Sequence, residues 1–301
     1  MLDVRGWHVT LDGLRLAFGT LTVLPTPAPQ RVDRAVAGGA MLLAPVAGVV
    51  IGGLAAAVVA GVQAVQPGAD LLAAALGVVA LCVLSGALHL DGLADTADAF
   101  GSRRDRETKL RIMKQSDIGP FGVVAIVAVL LIDVAALTTC IQAGFGWQAV
   151  LVATVASRLT LPWSCRVGVP SARPDGLGAM VAATVRPYAA ALVTLAVLAL
   201  VLALAWLTAP SPDLASSTTL KGAHEVSAGL TILPPVAPDD RAFALWPALI
   251  GTTLAILLTV ALALAATRRA RTSLGGITGD TLGATVELAL PLALLTIALA
   301  L

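Results

Sequence analysis

The sequence predicts an all-α fold: a multi-pass transmembrane bundle of about seven helices, preceded by a re-entrant or interfacial N-terminal segment. Three observations predict it. Hydrophobic residues make up 58% of the 301-residue chain and charged residues only 12%, and the mean hydropathy of +0.92 lies far from the balance of soluble domains. Apolar runs long enough to cross a bilayer recur along the chain. The charges are gathered together, with six of the eighteen acids and six of the nineteen Lys and Arg inside residues 88–123. Residues 1–301 therefore read as one integral membrane domain. A net charge of +1 argues against nucleic acid as a partner, since no basic excess exists to neutralise phosphates.

Taken in order, residues 1–34 hold a short apolar piece, 14–24, interrupted by Arg15 and closed by Pro25, Pro27 and Pro29. It is too short to span and has no small-residue cleavage site, so it reads as interfacial or re-entrant and not as a signal peptide. The first span is expected at 35–65. Pro45 should kink it, and Gly48 and Gly52, four apart, should let a second helix approach closely. The second span, 71–88, should lead straight into an acidic face. The third is expected at 120–141 and the fourth at 147–162. A connection carrying Arg166, Arg173 and Arg186 precedes the fifth, 188–207. Residues 209–241, rich in Pro, Ser, Thr and Asp, are expected to form a poorly ordered loop. The sixth and seventh spans are expected at 243–266 and 284–301.

Seven spans place seventeen of the nineteen basic residues on one side of the membrane and leave Lys221 and Arg241 on the other. An asymmetry of that size puts the first group in the cytoplasm and the 209–241 loop outside it. Three polar stretches then share the cytoplasmic face: 88–123, 157–178 and 268–289. In the last, Gly275, Gly276 and Gly279 free backbone amides to approach an anion. Thr278 suits a helix N-cap, and Asp280 and Glu287, seven apart, would share one face of the helix that follows.

The chemistry concentrates at Asp91, Asp95 and Asp98. On a helix their spacing of four and three places the carboxylates within an arc of about 60° over about 10 Å of axis. Like charges so placed repel, and three acids at the end of an apolar span oppose both insertion and packing. A hard divalent cation such as Mg2+ relieves them, which makes the three candidate metal ligands. Plainer readings hold elsewhere. The basic run from Arg103 to Lys114 also serves as a topogenic anchor, GGITG alone is weak evidence for phosphate binding, and His89 reads as a packed or interfacial histidine before a ligand. Asp133, in mid-span, must be protonated, bonded to a neighbour or lining a cavity. Cys82, Cys140 and Cys165 read as small hydrophobes outside any disulfide framework.

LHLDGLADTADAF, the MKQSDIGPFGV that follows, the late LGGITGDTLGA and the opening LTVLPTP together resemble the signatures of the adenosylcobinamide-GDP ribazoletransferase family, also called cobalamin-5'-phosphate synthase. The resemblance runs in the right order from about residue 12 to the end. It implies a Mg2+-dependent multi-pass enzyme of the bacterial inner membrane, with its active site on the cytoplasmic side, acting late in cobalamin biosynthesis. Such an enzyme joins adenosylcobinamide-GDP to α-ribazole or its 5'-phosphate and releases GMP. Its partners would be these small molecules and the lipid bilayer, with an oligomer allowed for.

In that chemistry positioning and charge neutralisation supply most of the acceleration. Asp95 and Asp98 are the catalytic candidates. Asp98 is expected to accept the ribazole hydroxyl proton, by analogy with the helix-borne aspartates of CDP-alcohol phosphotransferases. Arg103, Lys109, Lys114 and Arg158 are candidates to hold phosphate charge, with Asp117 beside them, and Gly276, Thr278 and Asp280 to close the site. Gln115 stands where similar sequences commonly carry an acid, and residues 210–241 are longer than is usual there. Two other readings compete. A CDP-alcohol phosphotransferase needs an Arg after Ala94, where this chain has Asp95, and a transporter would place its polar residues near the bilayer midplane.

Overall fold

The computed structural model of the chain describes residues 4–208 and 240–301. The described residues form twelve helices, with two isolated bridges and no strand among them. In chain order they are α1 (Val4–Leu21), α2 (Arg34–Val65), α3 (Asp70–Leu84), α4 (Leu88–Gly101), α5 (Arg106–Ile112) and α6 (Pro120–Gln142). Then come α7 (Gly146–Arg158), α8 (Thr160–Ser164), α9 (Gly176–Val181), α10 (Pro187–Thr208), α11 (Asp240–Leu274) and α12 (Gly279–Ala300).

Five of these helices, α2, α6, α10, α11 and α12, are long and apolar enough to cross a membrane. The expected first, third, fifth, sixth and seventh spans fall on them. The second and fourth differ. After α3 the chain turns by 88° into α4, through Gly86 and Ala87 in left-handed conformation at φ 62° and 56°. The acidic helix therefore does not continue the second span, as expected, but lies across the end of the bundle. Only if the bent pair were one span would the count reach six. The fourth expected span is α7, thirteen residues and so about 20 Å long, completed after a break at Leu159 by α8. A helix so short does not cover a hydrocarbon core of about 30 Å by itself.

Close packing of small residues holds the spans together, as a lipid solvent requires. On α2, Ala44, Ala47, Ile51 and Ala55 are fully buried, while Val50, Leu54 and Val58 face outward. Gly52 is where α2 meets α7: a Cβ there would lie 2.9 Å from Cβ of Thr154. The Gly48/Gly52 spacing thus does what the sequence led one to expect. Helix α7 is the most enclosed of the long elements, buried along almost its whole length. The main core joins it to α2, α3, α6 and α12.

Helix α1 runs longer than the expected 14–24 piece and packs on α2, and it is not among the helices fit to cross. Asp12, buried within it, accepts the backbone N–H groups of Gln30 and Arg31 at 3.0 and 3.2 Å, tying down the proline-rich segment that follows. These amides, first that of Gln30, with the Arg15 guanidinium 3.2 Å away, hold the Asp12 carboxyl below the usual carboxylate range. The loop expected at 209–241 lies outside the described residues, except that α11 already begins at Asp240.

Candidate functional site

Helix α4 crosses the N-terminal ends of two spans. At one crossing, a Cβ on Gly92 would lie 2.8 Å from the backbone oxygen of Asp280 in the first turn of α12, so only glycine allows the two backbones this close. At the other, Asp98 reaches the start of α6, where the backbone N–H groups of Gly119 and Gly122 donate to its two oxygens at 2.7 and 3.0 Å. Leu93, Val129 and Ala284 seal the space between the three helices. Helix N-termini carry unpaired amides and partial positive charge. The crowding of acids read from the sequence is thus relieved in part by two helix ends aimed at α4.

Asp91 and Asp95 remain, and Asp280 joins them from α12. Burial, and then the charges of Asp91, Asp280 and Asp98, push the Asp95 carboxyl up to about 6, against a smaller opposite pull from Arg173. Asp280 sits 3.6 Å from Arg173, a charge contact longer than a hydrogen bond, and its Oδ2 has no hydrogen-bond partner.

Beside these acids lies a cavity of about 290 Å3, walled by Leu21, Met41, Leu161 and Leu282, with Asp91, Arg173, Asp175 and Asp280 at its polar side. Two polar stretches meet to build that side. The N–H of Ile277 donates to the Pro170 oxygen and that of Ala172 to the Ile277 oxygen, both at 2.9 Å. Gly276 makes the pairing possible, because a Cβ there would lie 2.3 Å from the Pro170 oxygen. Thr278 caps α12 and exchanges hydrogen bonds with Thr281 in a capping box. Arg173 donates to the Leu110 oxygen at 2.7 Å, which anchors it under the basic loop.

The expected site residues are only partly brought together. Asp91, Thr278 and Asp280 line the cavity, Asp95 stands in their field, and Lys114 reaches Asp175 at its edge at 3.5 Å. Asp98 is occupied as the cap of α6, and Gly276 serves backbone packing. Arg103 and Asp117 are exposed on the 102–118 segment, and Lys109 lies 5.3 Å from the Phe100 ring centre. Arg158 is inside the bundle, where it lines a separate small cavity with Asp133 and Glu287. Of the options left open for Asp133, cavity lining is what its position shows. Among the described residues no three or more His, Cys, Asp or Glu converge as a metal cluster.

Of the cavity-wall residues, Arg173 was given no site role by sequence, and His89 was read as packed before ligand. Arg173 lay within a polar stretch already marked, so its position could have been found. His89 is 2% exposed, as the packed reading expects, and neither of its buried ring nitrogens has a hydrogen-bond partner. The basic run is also more than an anchor, since Arg106 donates to the Leu274 and Ala172 oxygens at 2.6 and 3.1 Å.

The family model described as cobalamin-5-phosphate synthase matches residues 13–298. A curated protein of Frankia casuarinae named adenosylcobinamide-GDP ribazoletransferase is 39% identical over 95% of this chain and 94% of its own length. Proteins of the same name from Sinorhizobium medicae and Nocardioides sp. are 36% identical over 87% of both chains, and 44% identical over 58% of this chain and 74% of their own. No solved structure matches.

Proposed function

This chain belongs to the cobalamin-5-phosphate synthase family, and from that premise we propose that it is an adenosylcobinamide-GDP ribazoletransferase. It joins adenosylcobinamide-GDP to α-ribazole or its 5'-phosphate, releasing GMP and leaving adenosylcobalamin or its phosphate. The observation that carries this reading is the family match across nearly the whole chain, and the acid-edged cavity at the crossing of α4 and α12 supplies a place for the chemistry. The new bond forms between a ribazole hydroxyl oxygen and the phosphorus that bears the cobinamide, and the bond from that phosphorus to the GMP oxygen breaks.

Asp91, Asp95 and Asp280 fit Mg2+ in donor chemistry: hard carboxylate oxygens from two helices, one of them, Oδ2 of Asp280, without a hydrogen bond. Mg2+ is commonly held by one or two carboxylates plus substrate phosphates and keeps several waters, so a closed protein cage is not required. Bound there, it would neutralise diphosphate charge and stabilise the departing phosphate. The chain's own cations at this edge are Arg173 and Lys114, placed to orient phosphate oxygens. Asp95 keeps the catalytic assignment. Asp98 is proposed as a positioning residue in place of a base, since both of its oxygens already receive amides.

We place the enzyme in the inner membrane with this face toward the cytoplasm, because the basic segments 103–114, 166–173 and 268–271 meet there, with Arg106 donating to the Leu274 and Ala172 oxygens. The test is GMP release by purified protein given adenosylcobinamide-GDP, α-ribazole and Mg2+. Loss of release with EDTA and its return with Mg2+ supports the reading, and product formation unaffected by chelation removes the metal from it.

A further inference from the structure

Three arginines meet on the outside of the bundle, apart from the acid-edged cavity. Arg268 and Arg271 stand three apart near the end of α11, on one helix face with Leu264, and Arg166 joins them from just beyond α8. With Leu264 and Thr272 they wall an open pocket of about 630 Å3, which shares no residue with the cavity at Asp91 and Asp280. Like charges so placed repel. Burial, and then the charge of Arg271, hold the Arg166 guanidinium below its usual range. Arg166 donates to the Trp163 oxygen at 2.6 Å, a neutral partner. No ion pair among the described residues reaches Arg166, Arg268 or Arg271, so no described acid answers their charge.

We propose that this pocket holds the phosphate of an anionic phospholipid of the cytoplasmic leaflet, with an acyl chain lying along α11. The site is separate from the transfer chemistry and does not depend on it. Three observations favour that occupant. Negative charge is what the pocket lacks, and basic pockets at the cytoplasmic end of membrane helices take acidic headgroups. Its approach is apolar: Ile250, Leu257 and Leu264 precede Arg271 at intervals of seven residues, which keeps them on one helix face, and they are 51, 53 and 38% exposed. An acyl chain has a use for that stripe, and a water-soluble phosphate has none. The third observation is depth. Trp206 and Trp246, both exposed, wall an apolar groove between α10 and α11 together with Ile250, as aromatic side chains do at a membrane boundary. Arg268 follows Trp246 by twenty-two residues, about 33 Å along the helix, and a hydrocarbon core is about 30 Å thick. The tryptophans and the arginines therefore mark opposite boundaries, and the guanidinium groups lie at headgroup level.

The test is native mass spectrometry of the full-length protein, stripped of lipid in detergent and titrated with phosphatidylglycerol or with phosphatidylcholine of the same acyl chains. Wild type should bind phosphatidylglycerol about tenfold or more tightly than phosphatidylcholine. Arg268→Gln combined with Arg271→Gln, at two exposed positions, should lower the phosphatidylglycerol affinity by about tenfold or more and leave phosphatidylcholine unchanged. Arg166→Gln alone should lower it in the same direction by a smaller factor. Arg104→Gln combined with Arg111→Gln removes the same net charge from another exposed segment and should keep the wild-type preference. Equal affinity for the two lipids in wild type, or an equal loss in the two double variants, overturns the proposal and leaves only general attraction of a basic face to acidic lipid. Displacement of bound phosphatidylglycerol by GDP overturns it as well, by giving the pocket to a nucleotide diphosphate. GMP release is not read in any arm, so failure of the transferase reading and failure of the lipid site are distinguishable.

Discussion

The carboxylate of Asp98 accepts the backbone N–H of Gly119 at 2.7 Å, so a residue of the acidic helix caps a membrane span that begins twenty-two positions later, at Pro120. Gly119 supplies no side chain to cap α6, and Pro120 occupies the first turn. The free amides of that turn need an acceptor from elsewhere.

Asp98→Ala should therefore destabilise the protein by about 2 kcal/mol, the scale of hydrogen bonds to a charged group, with activity falling as the fold loosens. Gly119→Ala should have a similar effect, because its Cβ would lie 2.4 Å from Oδ1 of Asp98. Thermal denaturation in detergent checks both. A catalytic base at this position would give a different pattern: Asp98→Asn with unchanged melting and no turnover.

Asp95→Asn should show that opposite pattern. The substitution removes one charge from a crowded set, so melting should stay level or rise, while turnover should fall by about a hundredfold or more if the carboxylate acts on the reacting phosphate. Turnover near the wild-type level with Mg2+ present would remove Asp95 from the site.

Much of this was legible in the sequence. The acids announced themselves because charge among apolar spans is costly, and Gly48/Gly52 because their spacing is a packing device. Thr278 followed from capping chemistry. What stayed hidden depends on direction in space. Three aspartates on one helix face look alike in sequence, yet the 88° turn after α3 sends Asp98 to the start of α6 and leaves Asp91 and Asp95 near Asp280. Arg158 was read as a phosphate contact because it ends a span near other basic residues. The span is short and central, so its end lies inside the bundle. His89 was read as packed before ligand, and at 2% exposure it is packed.

Asp12 gives the pH-dependent case. Its carboxyl is held below the usual 3.8, so its contribution to stability is fully present above the unfolded value and is lost as pH falls through the lower folded one. Asp12→Asn should melt at lower temperature than wild type at pH 7, and the gap should narrow below about pH 4. Melting curves across pH 3–7 in an acid-tolerant detergent measure it. A gap that widens on acidification would contradict the hydrogen bonds from Gln30 and Arg31.

Arg158 and Glu287 offer a test of what holds the centre of the bundle. Arg158 is buried, its Nε without a partner, and it shares a cavity of about 10 Å3 with Glu287 and Asp133, near the minimum that admits one water. Removing one member of a buried charged set strands the others, and that costs about 3–5 kcal/mol. Removing opposite charges together does not strand them. Arg158→Met should accordingly destabilise by that amount, and Arg158→Met combined with Glu287→Gln should recover more than half of it, because Asp133 alone can be neutralised by a proton. Strict additivity of the two substitutions in a melting experiment would mean that Arg158 does not act on Glu287, and that packing alone holds α7 against α12.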